Sequence, residues 1–160
     1  YMELLNQAQD YVYIYTPYLI LDNEMKTAMT LAAKRGVDVR LVTPGIPDKH
    51  LIYRLTRSYY RPLINAGVKI YEYIPGFIHA KSFISDDRIG VVGTINLDYR
   101  SLFLHFECGT LMVGCAALRD LKEDCERTFA RSREITEKDC YHTFIGLLFD
   151  SVLRVISPLL

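Results

Sequence analysis

DYVYIYTP at residues 10–17, VDVRLVTPG at 37–45 and VKIYEY at 68–73 decide the fold. Each is a short run rich in β-branched and aromatic residues, and proline ends the first two. Two stretches with helical spacing lie between them. In the first, Asp22 or Asn23 caps a helix running to about Arg35, with Met25, Ala28, Met29 and Ala32 on one stripe and Gly36 at its stop. The second runs from about Lys49 to Ala66 despite Pro62, with Gly67 at its stop. A β-α-β-α-β order with helices of this length predicts a largely parallel sheet covered by helices.

Outward from that block, Tyr1 to Gln9 reads as the end of a helix with Met2 and Leu5 inward. On the other side the grammar changes. Ile78 to Ser85 alternates as a strand, Asp86-Asp87 makes a turn, and Arg88 to Gly93 is a second strand. Gly93 to Arg100 is a polar loop, and Phe103 to Val113 reads mostly as strand. Leu118 to Arg131 is a helix with Leu118, Leu121, Cys125 and Phe129 inward. Thr136 and Asp139 resemble a capping box, and an apolar helix follows from about Glu137 to Ile156. The expected class is α/β: one domain over residues 1–160, with a mixed, mostly parallel central sheet and helices on both faces. Because the chain opens inside a helix, an upstream segment is also expected.

Composition sets the outer bounds. At 160 residues, 50% hydrophobic and 24% charged, the chain can bury a core and is not a disordered or low-complexity polymer. Nineteen basic and 19 acidic residues balance, so any affinity for nucleic acid or anionic lipid must come from a local patch. Cys108, Cys115, Cys125 and Cys140 have no zinc or redox spacing and read as reduced thiols. No apolar run reaches the 18 residues of a membrane span.

The chemistry concentrates in HAKSF at residues 79–83. On a strand, His79 and Lys81 face the same side, about 7 Å apart. Lysine is rarely buried without a partner, and its charge lowers the pKa of a neighbouring histidine. Such a pair makes sense around an anion: lysine holds a phosphoryl oxygen, and histidine attacks phosphorus or moves a proton. Downstream, Gly93-Thr94-Ile95-Asn96 offers a hydroxyl and an amide able to donate to phosphoryl oxygens. Glu107 is a carboxylate of the kind that orients a catalytic histidine. Each residue alone has an ordinary structural reading; together they point to a phosphate-handling site.

His79-x-Lys81, four residues, Asp86, six residues, then Gly93-Thr94-x-Asn96 resembles the signature of the phospholipase D superfamily. The surrounding stretch YIPGFIHAKSFISDDRIGVVGTINLDYRSLFLHFE is similar to the carboxy-terminal half of the bacterial cardiolipin synthases, as are TPYLILDNEM, RGVDVRLVTPG, RSYYRPLINAGVKIYEY and the closing SPLL. The resemblance implies a phospholipase D-like fold. It also implies transfer of a phosphatidyl group between two phosphatidylglycerols, through a phosphohistidine, to give cardiolipin and glycerol. It implies no cofactor and no metal. Within the motif set His79, Lys81, Asp86, Asn96 and Glu107, His79 becomes nucleophile or general acid/base, Lys81, Thr94 and Asn96 become phosphate ligands, and Glu107 becomes the orienting carboxylate. Asp86 is expected to hold the turn rather than touch substrate. Family members carry two such motifs, and this chain has one. The expectation is therefore half a site, completed by an absent amino-terminal half or by a second copy in a homodimer, as in single-motif phosphodiesterases. The implied location is the bacterial cell membrane, with this domain on its cytoplasmic side.

Two further surfaces stand out. Lys26 to Arg61 carries eight Lys or Arg against two Asp. Arg54, Arg57, Tyr59, Tyr60 and Arg61 are candidates for headgroup or membrane contact, an ordinary solvated helix face being the alternative. Nucleic acid is the less favoured partner. The apolar segment 137–160 is expected to pack within the protein, with the missing half or a membrane as the other options.

Overall fold

The computed structural model describes residues 1–140 and 144–157. A short helix α1 (Met2–Gln7) precedes β1 (Tyr11–Tyr15), α2 (Asn23–Lys34), β2 (Asp38–Pro44), α3 (His50–Ser58), α4 (Tyr60–Asn65) and β3 (Lys69–Tyr73). The chain continues through β4 (Ser82–Ser85), β5 (Ile89–Gly93), a π-helical turn (Arg100–Leu104) and β6 (Gly109–Val113). It closes with α5 (Ala117–Ala130), β7 (Ser132–Ile135), a 3₁₀ turn (Glu137–Cys140) and α6 (Phe144–Ile156).

The strands form one mixed sheet in the order β6-β5-β4-β1-β2-β3-β7. Period-two alternation in β1 sends Val12 and Ile14 to one face and Tyr11, Tyr13 and Tyr15 to the other. The first face is covered by α1 to α4 and by Leu153 of α6. The second is covered by α5 through Leu118, Cys125 and Phe129. Helices on both faces are thus as expected. The expected parallel majority is not: only β1–β2 and β2–β3 run parallel, and the other four pairings are antiparallel. The parallel β-α-β units end at β3. Beyond it, tight turns and short returns reverse direction.

Local differences have local causes. The 49–66 helix is two helices, broken at Tyr59. Pro62 has no N–H to bond the Ser58 carbonyl four residues back, and its ring crowds that carbonyl. Arg154 of α6 takes over, donating to the Ser58 carbonyl and, over 3.0 Å, to its Oγ. Phe103 and Leu104 lie in the π-helical turn, so β6 begins only at Gly109. Ile78 to Lys81 is not strand; β4 starts at Ser82. Strand β7 had no apolar alternation to announce it. In the segment 137–160, residues 141–143 and 158–160, including most of the SPLL motif, lie outside the described residues.

Asp86 and Asp87 turn β4 into β5 with φ of 54° each, a left-handed conformation that aspartate tolerates better than most residues. The Asp86 carboxylate accepts from the N–H groups of Gln9, Asp10 and Tyr11 at 2.8–3.0 Å. Partial burial opposes its charge, but the three N–H groups prevail and hold its pKa below the usual 3.8. A depressed carboxylate stabilises the fold above its unfolded pKa and loses that contribution as pH falls through the folded value. Asp86→Ala should therefore cost about 2 kcal/mol at neutral pH. The difference from wild type should narrow below the ordinary aspartate range, as read by urea unfolding across pH. Equal stability at neutral pH would contradict this account.

Candidate active site

One end of the sheet collects the chemistry. β1, β2 and β3 finish there and hand over to Tyr18, Asp48 and the 77–81 segment. β5 also ends there, while β4 and β6 begin there. The register aligns them: Tyr15 pairs with Ser82, Ser82 with Val92, and Gly93 with Gly109. Gly93 N donates to the Lys81 carbonyl at 3.2 Å, and Thr94 N to the Cys108 carbonyl at 2.9 Å. Lys81, Thr94 and Glu107 thus issue from one row across three strands. Gly93 has to be glycine, because a Cβ there would sit 2.2 Å from the Cys108 carbonyl oxygen. The carboxyl ends of parallel strands are where α/β sheets hold ligands.

Thr94 Oγ1 donates to one Glu107 oxygen, and Ser101 Oγ to the other at 2.7 Å. Ser101 Oγ also accepts from Asn96 N at 2.9 Å. Thr94, Asn96, Ser101 and Glu107 therefore form one connected group. The two hydroxyls lead in holding the Glu107 carboxyl below its usual range, with His105 and Lys81 adding to them. Lys81 is partly buried, and its Nζ donates to the His79 carbonyl at 2.8 Å. Desolvation lowers its pKa against the opposing pull of Glu107 and Asp98. Ser101 and Asp98 were not among the expected residues, although both lie in the polar loop and its adjoining turn.

His79 is exposed, with its ring against Phe77 at 5.4 Å and Tyr18 at 6.3 Å between centroids. Among the described residues no hydrogen bond reaches the ring. Its charge environment is set by Lys81 and Asp48 rather than Glu107. The orienting contact expected of Glu107 is therefore not made within this chain; its oxygens are taken by Thr94 and Ser101. Tyr18 and Asp48 are the neighbours the sequence reading missed. Tyr18 donates to Asp48 Oδ2 at 2.5 Å, and desolvation together with that bond pushes the phenol up to about 12. Their positions just past the ends of β1 and β2 were the available signal.

Other expected residues go elsewhere. Asp86 stands at the far end of β4, roughly 17 Å of extended chain from Lys81. The headgroup candidates are largely occupied inside the protein. Arg57 pairs with Glu72 and donates to the Asp139 carbonyl at 3.0 Å. Tyr60 is fully buried, its hydroxyl sharing a proton with Thr43 at 2.6 Å. Tyr59 is buried beneath the Arg154 guanidinium. Arg54 pairs with Asp150 at 2.7 Å, and Arg61 with Glu137 at 3.5 Å. The basic segment reads as surface by charge count, yet its cations satisfy buried carboxylates and helix-end carbonyls. Among the described residues no group of three or more His, Cys, Asp or Glu is placed to hold a metal ion, and no helix is long and apolar enough to cross a membrane.

Comparison with known proteins bears on this arrangement. Residues 1–131 match the family model described as cardiolipin synthase, PLD-like domain. The chain belongs to that family. The cardiolipin synthase 2 of Bacillus cereus is 38% identical over 162 residues, covering all of this chain and 31% of its own length. The chain spans about a third of the length of the curated relatives it matches. Two solved structures share the fold at 17% identity. The phosphatidylserine synthase of Haemophilus influenzae aligns with TM-score 0.76 over 99% of this chain and 44% of its own. The phospholipase D family member Nuc of Salmonella typhimurium aligns with TM-score 0.71 over 84% of this chain and 87% of its own. The family is one of phosphatidyl-transferring, phospholipase D-type enzymes.

Desolvation first and the Lys81 charge second keep the His79 pKa below 6.5, with Asp48 opposing. The shift favours the neutral form of the ring. An NMR titration should give a His79 midpoint below 6.5, and Lys81→Met should move it upward. A midpoint indifferent to Lys81 would contradict the geometry. Gly93→Ala, forcing β5 from β6, should cost about 1–3 kcal/mol in chemical unfolding.

Proposed function

We propose that this chain supplies one of two halves of an active site that makes cardiolipin and glycerol from two phosphatidylglycerols. The observation that carries the reading is the row Lys81, Thr94 and Asn96 at one sheet end, with the exposed His79 two residues from Lys81. A ring nitrogen of one histidine attacks the phosphatidyl phosphorus. The bond to glycerol oxygen breaks, and a second histidine protonates the leaving alkoxide. The incoming lipid's hydroxyl then gives its proton to that second histidine and attacks phosphorus, breaking the P–N bond. Lys81 neutralises and the Asn96 amide orients the phosphoryl oxygens through both steps, and Thr94 joins them when its hydroxyl turns from Glu107. His79 fills one of the two histidine roles. Asp86 takes no part in the chemistry and holds β4, the strand that begins just after Lys81.

Two observations support a half-site. Among the described residues no carboxylate bonds the His79 ring, and Glu107 accepts from Thr94 and Ser101 instead. Beside them along the chain, Phe103, Leu104, Phe106 and Leu111 expose apolar side chains as a collar before and at the start of β6. Such a collar is suited to cover by a second copy of the fold, in the same polypeptide for the proposed synthase. The substrate places the enzyme at the bacterial cell membrane, and we assign this domain to its cytoplasmic side. A second reading is a self-pairing phosphodiesterase acting on a phospholipid or nucleic acid. It draws on the likeness to Nuc, almost all of whose chain is spanned by one copy of the fold.

Mass spectrometry of trapped phosphohistidine after incubation with phosphatidylglycerol vesicles separates these readings. The proposal expects label only when an upstream half is present on the chain, with cardiolipin formed, and His79→Ala abolishing turnover while the protein still melts cooperatively. Label on His79 in this chain alone, with phosphatidic acid as product, would establish the self-pairing reading instead. Full turnover by the His79→Ala protein would sink both.

A further inference from the structure

Helix α6 is inside out for a surface helix in water. Its polar residues face the protein. Asp150 is buried and accepts from Arg54 Nε at 2.7 Å, and Arg154 Nε donates to Ser58 Oγ at 3.0 Å. Leu153 and, just past the helix, Ser157 are buried on the same side. Its apolar residues face outward: Leu147, Leu148, Phe149, Val152, Val155 and Ile156 are all exposed, Val155 to 80%. Leu148, Val152, Val155 and Ile156 recur at i, i+4, i+7 and i+8, which places them on one stripe. An ordinary amphipathic helix buries such a stripe.

Three observations bear on what covers the stripe. It asks for no hydrogen bonds: Ser151, the polar residue on it, donates back to the Leu147 carbonyl at 2.8 Å. Protein interfaces carry about one hydrogen bond per 100–200 Å², whereas hydrocarbon requires none. Next, cations border it. Helices α3, α4 and α6 together hold Arg54, Arg57, Arg61 and Arg154 against a single carboxylate, the buried Asp150. The Arg54 guanidinium lies 4.5 Å from the centre of the Phe149 ring, and Arg61 shares a groove with Leu147 and Ser151. Both arginines have acidic partners, yet their side chains stay 40% and 45% exposed at the edge of the stripe. An apolar stripe edged with arginine suits a lipid headgroup layer. Finally, the stripe is not part of the apolar collar. α6 rests on α3, in the crossover from β2 to β3, whereas the collar leads into β6 at one edge of the sheet.

We propose that α6 docks this domain on the surface of an anionic phospholipid bilayer. The helix lies in the plane of the interface, with Leu148, Val152 and Val155 among the acyl chains and Arg54 and Arg61 level with the phosphates. Its 13 residues make about 20 Å of helix, too short to cross a hydrocarbon core of about 30 Å. The ion pair of Asp150 with Arg54 and the bonds of Arg154 to Ser58 fix its polar side to the protein, so docking needs no refolding. The end of the helix links the surface to the chemistry: Ser157 lines the same cavity as Tyr18, Lys49 and Asn96. A bilayer against the stripe therefore brings its headgroup layer toward that end of the fold. The inference goes beyond the reaction proposed above and does not depend on it.

The test has two arms. In the first, the 160-residue chain is floated with vesicles of phosphatidylglycerol and phosphatidylcholine in equal parts, and separately with phosphatidylcholine alone. Partition onto the anionic vesicles should fall about tenfold or more in the double variant Leu148→Asn, Val155→Asn, and about fivefold in Arg61→Gln. Both changes are at exposed side chains, and thermal melts verify that the variants fold. No partition by the wild type, equal partition onto phosphatidylcholine alone, or partition unchanged in the double variant overturns the proposal. So does a wild-type chain that self-associates without lipid through this face, becoming monomeric in the double variant while vesicle binding persists; the stripe would then belong to a second copy. The second arm uses the lack of tryptophan in the chain. Leu148→Trp introduces one on the stripe, and Glu123→Trp one on α5, which covers the other face of the sheet. Lipids brominated on the acyl chains should quench the first and not the second. Equal quenching, or none, overturns the docking geometry. Neither arm reads turnover, so failure of the transfer reaction would leave these results standing, and their failure would leave the reaction untouched.

Discussion

Three backbone N–H groups converging on the Asp86 carboxylate hold the register of β4 against β1. Everything at the other end of those strands depends on that register. β1 delivers Tyr18 past its carboxyl end, and β4 receives Lys81 at its amino end, so a slip of one residue would turn each strand's side chains to the opposite face. β5 and β6 then add to β4 by antiparallel pairing, and the near-contact of Gly93 with the Cys108 carbonyl leaves no room for a different alignment. Asp86, a motif residue expected to hold the turn, thus makes its contacts at the end of the strands away from Lys81.

A second dependency runs through Pro62. It removes an N–H from the helix ladder and frees the Ser58 carbonyl, and Arg154 answers both by docking α6. Arg54 with Asp150 adds an ion pair to the same contact. Glu72, only 2% exposed, is met by Arg57 and by Arg133 of β7. Buried carboxylates of this kind demand cations, and a charge count along the chain cannot tell such cations from those that face solvent. For that reason Arg54 and Arg57 read as part of a lipid-facing stripe in the sequence and fasten buried carboxylates in the fold, whereas Arg61 and its partner Glu137 are both exposed.

The sheet's centre was legible because β1, β2 and β3 combine β-branched runs with proline or glycine stops, and the helices between them carry clear apolar stripes. Strand direction beyond β3 was not legible, since antiparallel and parallel partners use the same residue types. FLHF at residues 103–106 misled for a related reason: exposed aromatic and aliphatic residues mimic a strand when the surface they suit is not yet known. In the site, Lys81, Thr94, Asn96 and Glu107 were legible through spacing, and the structure groups them. Tyr18, Asp48, Asp98 and Ser101 were not, because they reach the site from loops whose convergence is a property of the sheet order.

The apolar collar leads into the start of β6, an edge strand of the sheet, at the same end as Lys81 and Thr94. Evolution and the protein engineer meet the same obstacle there. Charged gatekeepers on Phe103, Phe106 or Leu111 would discourage clumping of the lone polypeptide. They would also sit within a few residues of Glu107 along the chain, altering the field around the proposed phosphate ligands. Solubility and reactivity are therefore drawn from one patch of surface, and improving the first without harming the second calls for a covering partner rather than a substitution.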